Sequence, residues 1–308
     1  MNASCTSNTE PVPDNSYSAA LVTFKRPESL AVVLDALVHQ THPPTLIVVA
    51  DNDPDESARS IVSNADDTTV PISYVPVGAN LGPAGGWAAA VEFAQNQPNR
   101  GSWIGIFDDD DPLDDPDVMR LLLEGAMDAV STSDRVAAVG LRGARLSRRR
   151  MRLRRAHVAE GSIAQVDYLA GNGAPIYRWD AIEQVGFFEP ALFFGFEDLD
   201  QGLRLTADGW EVMALGLSLQ NVADTAASRV AWREYYKTRA LVTISRRHLG
   251  WDATAWLLVR SVLLGSVLLS IRDRSPSLAW ARIVGSIDGL RGQLGVRRYH
   301  PASNPSKA

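Results

Sequence analysis

Four short apolar runs constrain the fold of this chain more than any other feature. Ser18–Phe24, Thr45–Ala50, Ile72–Val77 and Trp103–Phe107 are each of strand length, and unbroken apolar runs suit parallel strands covered on both faces. Between the first two, Leu30, Val33, Leu34 and Leu37 recur at i, i+3, i+4 and i+7, the spacing of a helix with one buried face. Thr41-His-Pro-Pro44 ends that helix. A polar segment separates the second run from the third. A glycine-rich turn then leads into a helix around Ala84–Ala94 before the fourth run. The first 110 residues therefore predict strand, helix, strand, helix, strand, helix, strand. That alternation specifies an α/β fold, a mostly parallel sheet flanked by helices. Ligands of such sheets bind beyond the carboxyl ends of the strands. Those ends are Thr23–Arg26, Asp51–Asp53, Asn80–Gly86 and Asp108–Asp111.

The rest of the chain is more mixed. Arg135–Leu141 reads as a strand leading into an arginine-rich segment, Trp179–Val185 as a short helix, and Glu197–Asp208 as another. From Ala226 onward the pattern is mostly helical, and no internal repeat is present. Residues 1–16 read as a disordered polar tail, 17–225 as the α/β domain, and 226–308 as a helical C-terminal region. The tail has no apolar stretch flanked by positive charge, so no secretory leader is expected. The one cysteine, Cys5, excludes a disulfide framework within the chain and a cysteine-rich metal site. The longest apolar stretch, Ala255–Ile271, is interrupted by Arg260, leaving 11 unbroken residues. A spanning helix needs about 20, so a buried or interfacial helix is expected.

Charge is unevenly spread. The chain carries −6 overall, yet the fourteen residues from Arg142 to Arg155 hold eight arginines and no acid, which leaves −14 on the remainder. With 45% hydrophobic and 21% charged residues the chain is a globular one. The split therefore points to an anionic partner at one place. The arginine run fits a solvated hairpin or loop, a phosphate-bearing acceptor, or the anionic face of a membrane. The strongly acidic remainder argues against nucleic acid.

Several clusters carry chemistry. Asp108-Asp-Asp-Asp111 follows a strand and is closed by Pro112. Adjacent carboxylates repel one another unless water or a cation neutralises them, and carboxylate oxygens suit Mg2+ or Mn2+. The alternative is a solvated acidic turn. Asp51-Asn52-Asp53 either caps the following helix or accepts hydrogen bonds from a nucleotide base. Asn80-Leu-Gly-Pro-Ala-Gly-Gly86 is either a turn or a close approach to phosphate at a helix start. Its spacing is neither a dinucleotide fingerprint nor a P-loop. Phe193-Phe-Gly-Phe-Glu-Asp-Leu-Asp200 sets three acids behind an aromatic cluster. Acids favour a helix start, but a general base also needs a carboxylate in a partly dry pocket.

Taken together these motifs resemble glycosyltransferase family 2, over roughly Ala19 to Leu249. Val22-Thr-Phe-Lys-Arg-Pro27 is similar to the family's Val-Thr-Tyr-Asn-Arg-Pro opening, and Gln40-Thr41 follows its helix. Val49-Ala-Asp-Asn52, Asn80-Leu-Gly82 with Gly85-Gly86, and the acidic run match the next three elements in order. Gly186-Phe-Phe-Glu-Pro, the Phe193–Asp200 segment and Arg204 match the last. The resemblance implies the GT-A fold and an inverting, metal-dependent transfer from a nucleotide-sugar donor. It implies Asp198 as catalytic base with Glu197 and Asp200 as supporting acids. It places Thr23, Phe24, Arg26, Asp51, Asn80, Gly82 and Asp109 on the nucleotide, and Asp108 and Asp110 on Mg2+ or Mn2+. Gly171, Asn172, Trp87, Arg148, Arg149 and Arg150 are assigned to the acceptor.

The pattern is not a full match. Many relatives carry a metal-side His after the last strand, whereas Gly216–Ser228 contains none and offers only Asn221 nearby. Within the family the chain looks most like bacterial rhamnosyl- and galactofuranosyl-transferases of cell-wall and surface polysaccharide synthesis. That implies a glycan or polyprenyl-diphosphate-linked acceptor, a cytoplasmic location and peripheral contact with the inner membrane face. An inactive nucleotide-sugar-binding protein is one alternative. A nucleotidyltransferase is another, but it would want glycine in the Thr23–Pro27 loop, which has none.

Overall fold

The structure is a computed structural model that describes residues 14–65, 69–148, 151–217, 230–271 and 275–299. Strands β1 (Tyr17–Thr23), β2 (Leu46–Asp51), β3 (Ile72–Pro76) and β4 (Trp103–Asp108) alternate with helices α1 (Pro27–Val38), α2 (Arg59–Asn64) and α3 (Gly82–Gln95). All three pairings among these strands are parallel, in the order β3-β2-β1-β4, as the alternation predicts. The strands are buried along nearly their whole length, apart from the outermost, β3. In α1 the four predicted apolar positions, Leu30, Val33, Leu34 and Leu37, are all buried, each stabilising by roughly 1.5–3 kcal/mol relative to exposure. The tail expected over 1–16 lies outside the described residues up to 13. Residues 14–16 are tied to the sheet, since the Trp103 indole donates to the Asp14 carbonyl at 3.1 Å.

Beyond β4 come α4 (Val118–Thr132), β5 (Val136–Gly140), β6 (Gly143–Ser147), β7 (Arg152–Arg155), β8 (Ile163–Val166), β9 (Tyr168–Leu169), β10 (Ile176–Arg178), α5 (Trp179–Val185), α6 (Glu197–Ala207) and β11 (Glu211–Leu215). β10 inserts antiparallel between β4 and β5, and β11 and β8 complete an eight-stranded sheet. β6 pairs with β7 and β9 in a small second sheet. The arginine run is therefore the β6–β7 hairpin, with Arg149 and Arg150 outside the described residues.

The C-terminal region is packed against the α/β domain. Helix α7 (Ala231–His248) buries Tyr235, Tyr236 and Arg239. Arg239 donates to the Gly295 and Leu192 carbonyls at 2.6 and 3.0 Å, so α7 holds the chain end and the approach to α6 together. Helix α8 (Trp251–Leu257) runs through a wider π-type turn over Leu258–Leu264 into α9 (Gly265–Ile271), and α10 (Pro276–Leu290) packs along α7. The sequence predicts a buried or interfacial helix over 255–271. The structure corrects the first of these: Val259, Leu263, Leu264, Val267 and Leu268 are all exposed. Trp251–Leu268 is long and apolar enough, by length and composition, to cross a membrane.

Candidate active site

The ends of β1 and β4 are stitched together by Asp109. Its Oδ2 accepts from the Thr23 hydroxyl at 2.8 Å and from the Phe24 backbone N–H at 3.3 Å, and its Oδ1 accepts from Arg26 at 3.2 Å. Arg26 also pairs with exposed Asp110. Asp109 is thus committed to the β1 side of the run.

Asp108 faces the other way. A Cβ placed on Gly171 would lie 3.6 Å from Asp108 Oδ2 and 3.2 Å from the Trp87 ring. Burial pushes the Asp108 carboxyl well above the usual range, and the charges of Asp110, Asp109, Glu197 and Asp111 push the same way. Among the described residues no hydrogen bond or ion pair satisfies it. Asp111 is raised to about 6, mainly by burial, with Arg142 opposing.

Glu197 and Asp198 open α6 from a strained segment. Phe193 (φ 68°), Gly195 (φ 85°) and Phe196 (φ 66°) all have left-handed backbones, and for the two phenylalanines this costs on the order of 1–3 kcal/mol each. Such strain persists only where the surroundings impose it. Here Phe193 is buried against Tyr236, with ring centroids 4.4 Å apart. Burial raises both carboxyls first; the charge of Asp198 adds to the rise at Glu197, and that of Asp108 to the rise at Asp198. Glu197 Oε2 is buried with no hydrogen-bond partner among the described residues.

These acids face cations that sequence patterning does not reveal. Lys237 on α7 pulls the Glu197 and Asp198 pKa values down, and its ammonium lies 5.7 Å from the Phe194 ring centroid. Arg233, one turn earlier, feels both Arg26 and Asp110, and its Nε is buried without a partner among the described residues. Only the i, i+4 spacing of these two basic residues could have flagged them, and nothing local ties that helix to the cleft.

Several expected site residues serve the scaffold. Asp51 is fully buried. Its Oδ1 accepts from the Asp53 N–H at 2.9 Å, and its Oδ2 from the Ala58 N–H at 3.0 Å and the Tyr74 hydroxyl at 2.9 Å. It closes the loop after β2, with both oxygens already accepting from protein donors. Asp200 is 1% exposed, with Arg204 Nε 3.0 Å and His248 Nε2 2.9 Å away. It locks α6 to α7 and is not open to the cleft, and its partners hold its pKa down against burial. Trp87 is 4% exposed and donates to the Phe107 carbonyl at 3.0 Å. It braces β4 just before Asp108 and offers no open face to an acceptor.

The glycine turn is likewise internal. Gly82 has φ 69°, and a Cβ there would collide with the Phe193 carbonyl. Asn80 Oδ1 accepts from the Gly82 N–H at 3.0 Å, and Asn52 donates to the Gly82 carbonyl at 3.0 Å. The turn lets α3 and the 193–196 segment meet. Gly171 and Asn172 form a short turn beside Asp108 and are half-buried. Arg148 lies with His248, Leu249, Asp252, Ala253 and Trp256 around a groove between the hairpin and α8. Arg149, Arg150 and Asn221 fall outside the described residues.

Among the described residues no three His, Cys, Asp or Glu side chains converge as a ready metal set. The fit to a cation rests on Asp108, a desolvated and unpaired carboxylate among like charges, with Asp110 beside it. Such a site would need donor phosphate oxygens and water to complete the shell.

Known proteins share the family motifs and the fold. The family model described as glycosyl transferase family 2 matches residues 18–163. A galactofuranosyltransferase, GlfT1, of Mycolicibacterium smegmatis is 31% identical over 207 residues, covering 62% of this chain and 65% of that protein. GlfT1 of Mycobacterium tuberculosis is 36% identical over 110 residues, 35% of this chain and 34% of that protein. The chain thus spans less than two thirds of these curated relatives. Among solved structures, a mannosyltransferase from Pyrobaculum calidifontis in complex with GDP-Man and Mn2+ superposes with a TM-score of 0.56 at 14% identity, over 92% of this chain and 90% of that one. Residues 1–349 of S. aureus TarS in complex with UDP-GlcNAc give 0.53 at 13% identity, over 90% and 89%. Residues 18–163 are accordingly a glycosyl transferase family 2 domain, within a chain that has the GT-A fold.

Proposed function

We propose that this chain transfers a sugar from a UDP- or dTDP-linked donor to a hydroxyl of a glycan or lipid-linked acceptor, with inversion at the anomeric carbon. The observation that carries this reading is one desolvated group of acids, Asp108, Glu197 and Asp198, with Arg26, Arg233 and Lys237 around it. A raised carboxyl pKa suits a general base working near neutral pH. Asp198 takes the proton of the acceptor hydroxyl through a carboxylate oxygen. The hydroxyl oxygen bonds to the anomeric carbon as the bond to the diphosphate breaks, and that electron pair leaves on the diphosphate. Mg2+ or Mn2+, held by Asp108 and Asp110, would neutralise charge on the departing group. Arg233 and Lys237 supply positive charge from the other side, where many relatives have a His. Phe24 and Arg26 flank the nucleotide, and Asp51, Asn80 and Gly82 shape the loops that receive it.

The relatives' names favour galactofuranosyl transfer; the motifs leave rhamnosyl transfer as the neighbouring reading, and either belongs in cell-wall or surface polysaccharide synthesis at the inner face of the cell membrane. Arg148 in its groove suits a polyprenyl-diphosphate-linked acceptor. The test is nucleotide-diphosphate release from a panel of UDP- and dTDP-sugars with Mn2+, with and without polyprenyl-diphosphate-linked glycans. Acceptor-dependent release with one donor supports transfer. Binding without release on every donor identifies a nucleotide-sugar-binding protein, the alternative favoured by the lack of a ready metal set among the described residues.

A further inference from the structure

The helix formed by α8, the π-type turn and α9 faces the wrong way for water. Along its middle, polar side chains turn inward, while Asp252 and Ser270 at its two ends are exposed. Arg260 donates to the Met151 carbonyl at 3.1 Å, Thr254 is fully buried and donates to the Gly250 carbonyl at 2.8 Å, and Ser266 is buried. Leu257 and Val262 are buried, but a second apolar face turns outward. Trp256, Val259, Leu263, Leu264, Val267 and Leu268 recur at i, i+3, i+7, i+8, i+11 and i+12 and are all exposed, Leu263 and Leu268 at 60% each. A water-facing helix shows the opposite pattern. Trp251 at the helix start and Trp280 on neighbouring α10 are 66% and 62% exposed. A continuous apolar face of this kind marks an interaction surface.

What covers it is indicated by charge. The β6–β7 hairpin meets this helix: Leu146, Met151 and Leu153 share an apolar cluster with Leu257 and Leu258, and Arg260 reaches the Met151 carbonyl. It presents exposed Arg148, which shares a groove with Trp256, and exposed Arg152 and Arg154 on the adjoining strand, in a segment without an acid. A two-fold dimer through this face would bring two such hairpins together, and like charges there oppose it. An anionic bilayer complements both features. Leucines and valines enter the acyl boundary, tryptophans sit at headgroup level, and arginines meet lipid phosphates.

We propose that the exposed face of α8–α9, with Trp280 and the β6–β7 hairpin, docks the protein in the plane of an anionic membrane. This deepens the membrane-side reading of the acceptor and rests on it for biological setting. The test needs no turnover, so its failure is distinguishable from failure of the transferase reading.

The experiment is co-sedimentation of the full chain with phosphatidylcholine vesicles, with and without phosphatidylglycerol. Binding is expected to require phosphatidylglycerol and to weaken with salt. Leu263→Ser with Leu264→Ser should lower partitioning at least roughly tenfold, as expected for two leucines that no longer enter an apolar phase. Arg152→Glu with Arg154→Glu should remove the preference for phosphatidylglycerol. Each variant must keep the wild-type melting temperature and nucleotide binding, and alternative pairs such as Val267→Ser with Leu268→Ser replace any that do not. Absence of vesicle binding, or undiminished binding by the serine variants, overturns the proposal. So does a dimer in sedimentation equilibrium that the serine variants dissolve, in the absence of vesicle binding, since a second copy then covers the face.

Discussion

The Thr23 hydroxyl donates to Asp109 at 2.8 Å, and this one contact divides the acidic run. It turns Asp109 toward the end of β1, where Arg26 also reaches it. Asp108, on the neighbouring position of an extended strand end, is left facing Gly171 and the α6 acids. Four adjacent aspartates thereby acquire different duties.

Thr23→Val keeps the shape of the β1 end and removes the donor. Asp109 retains the Phe24 N–H and Arg26, so the cost should be about 1–2 kcal/mol. The expected outcome is a roughly 5- to 30-fold rise in donor KM, with kcat changed less. Steady-state kinetics on the donor identified by the panel checks it.

Gly82→Ala should disturb the acids from a distance. The left-handed backbone at φ 69° disfavours a side chain, and the new Cβ meets the Phe193 carbonyl. The backbone alone should cost about 1–3 kcal/mol, and relief would shift the segment that starts α6. A melting temperature lowered by several degrees, together with reduced turnover, is expected. Unchanged values of both would show that the 193–196 segment does not depend on this contact.

Much of this was legible in the sequence because it is local. The β1–β4 alternation follows from apolar runs and periodicity, and α5 begins and ends where its pattern predicts. The hairpin reading of the arginine run also follows from local composition. The antiparallel insertion of β10 between β4 and β5 does not, because strand order is set by long-range packing. The acids of Phe193–Asp200 show the same limit. Asp198 and Asp200 lie two residues apart, about 200° around a helix, so they face opposite sides. Arg204 meets Asp200 as its i+4 neighbour on α6, but only the packing of α7 brings His248 to it. Arg233 and Lys237 reach the cleft through that same packing.

Stability should fall as pH rises through the neutral range. Asp108, Asp111, Glu197 and Asp198 all have raised folded-state pKa values, about 6 for Asp111. Each contributes stability that is fully present below the unfolded pKa, near 4, and is lost as pH rises through the folded value. Asp200 and Asp288 have lowered values and contribute stability that is lost only in acid, so they do not offset this window. Calorimetric melting at pH 5, 6, 7 and 8 (roughly spanning the window) should give a declining melting temperature, and added Mn2+ should flatten the decline.

Asp198→Asn should leave donor binding near wild type and lower acceptor-dependent turnover by roughly 10²- to 10⁴-fold, the usual worth of a general base. Turnover near the wild-type rate would mean that another group, with Glu197 the nearest candidate, takes the proton.

The most direct test is a calorimetric titration of the purified chain with UDP and with dTDP, each with and without Mn2+. The predicted result is binding of at least one nucleotide, strengthened by Mn2+ and weakened by Asp108→Asn. No binding of either nucleotide in any combination would contradict a nucleotide-sugar transferase site at the ends of β1 and β4.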